Sequence, residues 1–67
     1  MQALIVNKKT KEETMYYHIR GYDSFGAVTG ADEKPVPVFL LLLDNGSREV
    51  FAKDSYELYV REWEEVR

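Results

Sequence analysis

Residues 14–20 alternate between two kinds of side chain, a pattern that is typical of a half-buried strand. One side of an extended chain would carry the core candidates Met15, Tyr17 and Ile19. The other side would carry the polar and aromatic residues Tyr16, His18 and Arg20. The branched apolar run 3–7 precedes this segment across a charged connection, so the pattern predicts an N-terminal hairpin.

A second hairpin is predicted over residues 39–51, where Asn45-Gly46 separates two apolar segments. This dipeptide favours a two-residue type I′ turn, which would place Leu40 opposite Phe51. One face of the hairpin would then show Leu40, Leu42 and Phe51. The other face would also be apolar, through Phe39, Leu41 and Val50. We therefore expect that either the sheet curls into a barrel-like core or the second apolar face meets another chain.

Residues 21–37 hold three of the four glycines and both prolines, which predicts a long loop. A short edge strand over 24–28 is the alternative. A loop of this length in a small domain is often functional.

The C-terminal segment fits an amphipathic helix. Asp54 is placed to cap it, with Glu57 three residues further on. At helical spacing an apolar stripe would contain Tyr56, Tyr59, Val60, Trp63 and Val66. The expected fold class is α+β, a mostly antiparallel sheet of four or five strands with this helix packed on one face through Tyr56, Tyr59, Val60 and Trp63. Because Tyr56, Leu58 and Val60 equally suit a strand, an SH3-like small barrel is the alternative.

The length and composition of the chain favour self-association. With 67 residues, 45% of them apolar, the chain predicts one small globular domain spanning 1–67. A domain of this size buries only about 60% of the surface exposed in its unfolded chain. Since there is no cysteine, disulfides and thiolate zinc sites are excluded as sources of stability. We therefore expect a homodimer or other homo-oligomer, with its interface at Leu40, Leu42 and Phe51.

Two features favour a cytoplasmic location. The apolar run 3–6 is only four residues long and is followed, not preceded, by lysines, unlike a signal peptide. The longest apolar run, 36–43, is interrupted by Pro37 and too short to cross a bilayer.

Candidate catalytic chemistry is sparse. His18 is the one histidine, and its predicted neighbours on the strand face are Tyr16 and Arg20, not a carboxylate that would orient a base. The serines and threonines lie in no nucleophile motif, and the glycines form no phosphate-binding loop. One histidine and scattered carboxylates do not make a metal site. We expect no enzyme, no cofactor and no metal.

The best-supported function is therefore protein binding, as a self-associating small protein or a regulator or inhibitor of a larger protein. The predicted contact residues are Tyr16, His18, Arg20, Tyr22 and Phe25. An aromatic and basic strand face also suits single-stranded nucleic acid, which is the first alternative. Against it stands a net charge of -3, since nucleic-acid binders carry a positive excess. An acidic protein that mimics nucleic acid is the second alternative.

Overall fold

Strands make up all the regular secondary structure in the described part of the chain. The computed structural model describes residues 1–28, 30–31, 33–60 and 64–67. Its seven strands are β1 Ala3–Asn7, β2 Glu13–Tyr16, β3 Ile19–Ala27, β4 Val36–Leu43, β5 Arg48–Ala52, β6 Tyr56–Val60 and β7 Glu64–Val66. They form two antiparallel sheets: a first sheet in the order β2-β1-β6-β7, and a second sheet in the order β3-β4-β5. Within those residues no helix has the length and apolarity that crossing a membrane requires.

The two sheets share one apolar core. Its buried residues are Ala3, Ile5, Ile19, Phe39, Leu41, Leu58 and Val60. Alternate residues of β4 are buried in it, Phe39 and Leu41, because side chains of a strand point to opposite faces in turn. The most apolar strand, β4, lies in the middle of the second sheet, and β1 lies inside the first. The fold is therefore a two-layer β structure with the core between the layers.

The predicted α+β class is wrong, because the C-terminal segment forms strands instead of a helix. Leu58 and Val60 are buried and Tyr56 is half-buried, which is the period-2 pattern. β6 pairs with β1 from Ala3↔Val60 to Asn7↔Tyr56, so tertiary pairing outweighs the helical spacing. Asp54 lies in the turn before β6, and does not cap a helix. Trp63, expected in the helix stripe, lies outside the described residues.

The alternation over 14–20 breaks in its middle. β2 ends at Tyr16 and β3 begins at Ile19, so the chain passes from the first sheet to the second between them. Ile19 is in the core as expected, and its amide donates to the Met1 carbonyl at 2.9 Å. Tyr17, expected in the core, is 63% exposed. The predicted continuous strand is wrong because the connection between the sheets uses two of its residues.

Residues 21–27, expected mostly as loop, belong to β3, so the predicted long loop is wrong over this part. Gly26 is tolerated in the strand because the side chain of Pro35 comes close to it. A Cβ at Gly26 would lie 2.8 Å from the Cβ of Pro35. The glycine thus permits a close approach of two segments, not a turn.

The second hairpin has a three-residue loop instead of the predicted two-residue turn. The amide of Leu43 donates to Ser47 at 2.8 Å, and Gly46 donates to Leu43 at 3.0 Å. Gly46 has a φ of 87°, whereas Asn45 is not among the residues with positive φ. This is a type I turn followed by a glycine bulge. It moves the register by one residue, so that Leu40 pairs with Val50 and not with Phe51.

Replacing Gly46 by alanine is expected to lower the free energy of unfolding by about 1–2 kcal/mol, since a side chain is disfavoured at positive φ. Gly46→Asn is the matched variant, because asparagine tolerates this region better, and it should retain most of the stability. Urea unfolding of both variants measures the difference. Equal stability of Gly46→Ala and wild type would contradict the turn.

Candidate protein-binding face

The second sheet has an apolar surface on the side away from the core, which we call the outer face. Its central strip comes from β4: Val36, Val38, Leu40 and Leu42. Residues paired across strands share a face. The β3 flank is therefore Gly21, Asp23, Phe25 and Ala27. The β5 flank is Arg48, Val50 and Ala52.

Three large apolar side chains on the outer face are open to solvent. Phe25 is 42% exposed, Val36 47% and Val50 56%. Leu40 and Leu42 are half-buried, and Val38 is buried, with 5% of its surface exposed. These residues lie on three adjacent strands, so they form one continuous patch and not isolated exposures. Contiguous apolar surface of this kind marks interaction sites.

Two opposite charges flank this apolar strip. Asp23 stands on β3 and Arg48 on β5, one cross-strand row apart. Both are exposed, and neither forms an ion pair within the described ranges. Asp23 Oδ1 accepts a hydrogen bond from the Ser24 amide at 2.7 Å. An apolar centre with polar residues at its rim is the usual layout of a protein interface.

The predicted row of Tyr16, His18 and Arg20 is not formed on one strand face. Tyr16 packs its ring edge-on against Phe51, with centroids 6.3 Å apart. Partial burial raises the pKa of Tyr16, and the Glu49 carboxylate raises that pKa further. His18 and Arg20 are exposed on either side of the point where β3 begins. The geometry that favoured nucleic acid is therefore absent from these three residues.

Tyr22 and Phe25 lie on opposite sides of β3. Tyr22 pairs with the buried Leu41, and Phe25 pairs with Val38 on the outer face. Tyr22 is 41% exposed, close to the value for Phe25. Of the five predicted contact residues, the structure places Phe25 on the outer face.

The predicted interface residues are also divided. Leu40 and Leu42 lie on the outer face, whereas Phe51 pairs with Phe39 on the core side. The Phe51 ring packs edge-on against Tyr56, with centroids 5.2 Å apart. Sequence reasoning missed Val36 and Val50 as members of this surface. A hairpin with a three-residue loop at 44–46 would have predicted Val50 on the outer face. The extra loop residue reverses which side chains of β5 face the core.

An open depression of about 400 Å³ lies at the connection between the sheets. Its lining includes Tyr16, Tyr17, His18, Leu43 and Asp44. It offers aromatic surface and hydrogen-bonding groups but is widely open to solvent. Over the described ranges, no group of three potential metal ligands is assembled, and no buried side-chain polar atom lacks a partner.

The outward side of the first sheet is different, because carboxylates interrupt it. Leu4 and Val6 are half-buried there, beside Glu13, Glu57 and Glu65. Tyr59 Oη donates to Glu57 Oε2 at 2.8 Å, which raises the pKa of Tyr59. Glu62, a further carboxylate in the acidic C-terminal segment of the sequence, lies outside the described residues. The nucleic-acid-mimic function remains a prediction, and the outer face of the second sheet is the more apolar candidate.

Comparison with known proteins was made at three levels. No protein-family model, no curated protein and no solved structure matches this chain. The outer face itself is therefore the basis of the proposed function.

Proposed function

We propose that this chain is a non-enzymatic protein-interaction module, and that it binds another protein through the outer face of the second sheet. The partner is a further copy of the chain or a larger protein that the chain regulates or inhibits. The cytoplasmic location expected from the sequence is part of the proposal.

The observation that carries this proposal is the grouping of Phe25, Val36 and Val50 on one continuous face. Burying a fully exposed large apolar side chain contributes roughly 1.5–3 kcal/mol, and a partner that covers these half-exposed side chains gains about half of that for each. A small domain has roughly 3–10 kcal/mol of total stability, so this contribution is large by comparison. The half-buried Leu40 and Leu42 extend the apolar area between these residues.

The absence of a catalytic role is supported by the position of His18. It is exposed at the connection between the sheets, in water and away from the core. Catalytic bases usually lie in an enclosed pocket beside a group that orients them. His18 instead lines a depression that is open to solvent.

Val50→Glu tests the proposal, because it places a charge on the β5 flank of the outer face, directly beside Leu40. The matched control is Val28→Glu, the same change at 57% exposure against 56% for Val50, but after the end of β3. Proteins captured from the native cell are identified by mass spectrometry, and binding is then measured with purified components. We expect Val50→Glu to weaken binding at least about tenfold and Val28→Glu to leave it unchanged.

Two results would contradict the proposal. One is a reconstituted partner that binds Val50→Glu as tightly as wild type. The other is that no partner, including the chain itself, binds wild type with purified components. Circular dichroism of both variants checks that each remains folded.

A further inference from the structure

We propose that the partner of the outer face is a second copy of this chain, docked face to face about a two-fold axis that runs along β4. This inference rests on the proposed function, because it names the occupant of the same face. The two outer faces would then pack as a sandwich of sheets about 10 Å apart.

Charge complementarity selects this axis. Rotation about an axis along β4 places β3 of one copy over β5 of the other, because β3 and β5 flank β4. Asp23 of each copy then lies near Arg48 of its partner, and the pair occurs twice. The residues are one row apart, about 7 Å along the strands, which the long arginine side chain can span. An axis across the strands would instead place β3 over β3 and bring like charges together.

The shape of the face agrees with the same axis. Gly21 and Arg48 occupy the same cross-strand row, on either side of Leu42. A Cβ added at Gly21 would meet nothing within 4 Å, so there is open space at this point. In the dimer that space lies over Arg48 of the other copy, next to Asp23. The glycine thus leaves room for the guanidinium beside its carboxylate.

The exposed area also fits a second copy. The accessible surface of the chain is 4929 Å². A monomeric protein of this mass typically exposes about 4,400 Å². The four rows of the outer face cover about 400 Å² of plane, so a dimer would bury on the order of 1,000 Å² in total. That is the lower end for specific interfaces, and we expect a dissociation constant in the micromolar range.

Charge exchange tests the arrangement by sedimentation equilibrium over a range of concentrations. Wild type should dimerise at tens of micromolar. Asp23→Arg and Arg48→Asp each place like charges together twice, and each should raise the dissociation constant about tenfold or more. The double variant Asp23→Arg/Arg48→Asp should return to within about threefold of wild type. A mixture of the two single variants should form heterodimers, because both pairs are then attractive.

Two further variants serve as a control for net charge and as a test of the shape of the face. Lys9→Glu changes the net charge by the same two units as Arg48→Asp but lies in the exposed turn after β1, so the dissociation constant should not change. Gly21→Val places a side chain in the open space, where an added Cβ meets nothing within 4 Å inside the chain, and should weaken the dimer. Thermal unfolding of dilute samples shows whether each variant folds.

Wild type that stays monomeric at all concentrations would overturn the dimer. The arrangement of the two copies would be overturned if the single charge changes leave the dissociation constant of the dimer unaltered. It would also be overturned if the double variant does not restore the wild-type dissociation constant. If wild type is monomeric but Val50→Glu no longer binds a protein that wild type captures, the outer face binds a different protein and the proposed function stands. If wild type dimerises and Val50→Glu leaves that dimer and every other partner intact, both proposals fail.

Discussion

Replacing Leu41 by alanine is expected to lower the free energy of unfolding by about 2–5 kcal/mol. Leu41 is fully buried in the middle strand of the second sheet, where it belongs to the cluster shared by both sheets. Its removal would leave a cavity between the two layers. Since the total stability of such a chain is roughly 3–10 kcal/mol, we expect a substantial unfolded fraction at room temperature. Urea unfolding followed by circular dichroism measures the change.

The matched control is the same substitution one residue earlier. Leu40 is on the same strand but on the outer face, where it is half-buried. In samples dilute enough to be monomeric, Leu40→Ala should cost less than half as much as Leu41→Ala, because less surface is lost from contact. Equal losses would mean that the core does not lie on the Leu41 side of β4.

The extended segments with the clearest apolar patterns are predictable from the sequence. The strand expected at residues 3–7 is confirmed as β1, and the apolar segments around Asn45 are confirmed as β4 and β5. Their branched and aromatic side chains suit a pleated sheet on either face. The local pattern is sufficient to predict these strands, because these segments carry no comparable sequence signal for a helix or a loop.

The C-terminal segment shows where local pattern fails. Tyr56, Leu58 and Val60 satisfy a strand, while Tyr56, Tyr59 and Val60 satisfy a helix stripe. Pairing along the whole length of β1 decides between them, and this contact joins residues that are 49 to 57 positions apart. Such a long-range contact is invisible to an argument from a short window of sequence.

The candidate site depends on a smaller detail, the length of one loop. The asparagine and glycine at 45 and 46 fit both a two-residue and a three-residue loop. One residue of difference reverses the two faces of β5, so Val50 and Phe51 exchange environments. The sequence pattern alone places Leu40 and Leu42 on one face, whereas the choice of Val50 or Phe51 as their neighbour depends on the loop length.

Phe51→Ala is expected to lower the free energy of unfolding by about 2–3 kcal/mol, somewhat below the loss for a fully buried phenylalanine. Phe51 is half-buried on the core side, and its ring contacts the rings of Tyr16 and Tyr56. These contacts connect β5 of the second sheet to β2 and β6 of the first. The change therefore removes apolar burial together with two edge-on aromatic contacts.

Val50→Ala distinguishes the hairpin with the three-residue loop from a hairpin with a two-residue turn. Val50 is 56% exposed on the outer face, so in dilute samples its truncation should change the free energy of unfolding by less than about 1 kcal/mol. In the alternative register Val50 would face the core and Phe51 would face outward, and the order of the two losses would reverse. Urea unfolding of the two variants under identical conditions decides between the registers. A larger loss for Val50→Ala than for Phe51→Ala would remove Val50 from the outer face and, with it, the surface on which the proposed dimer depends.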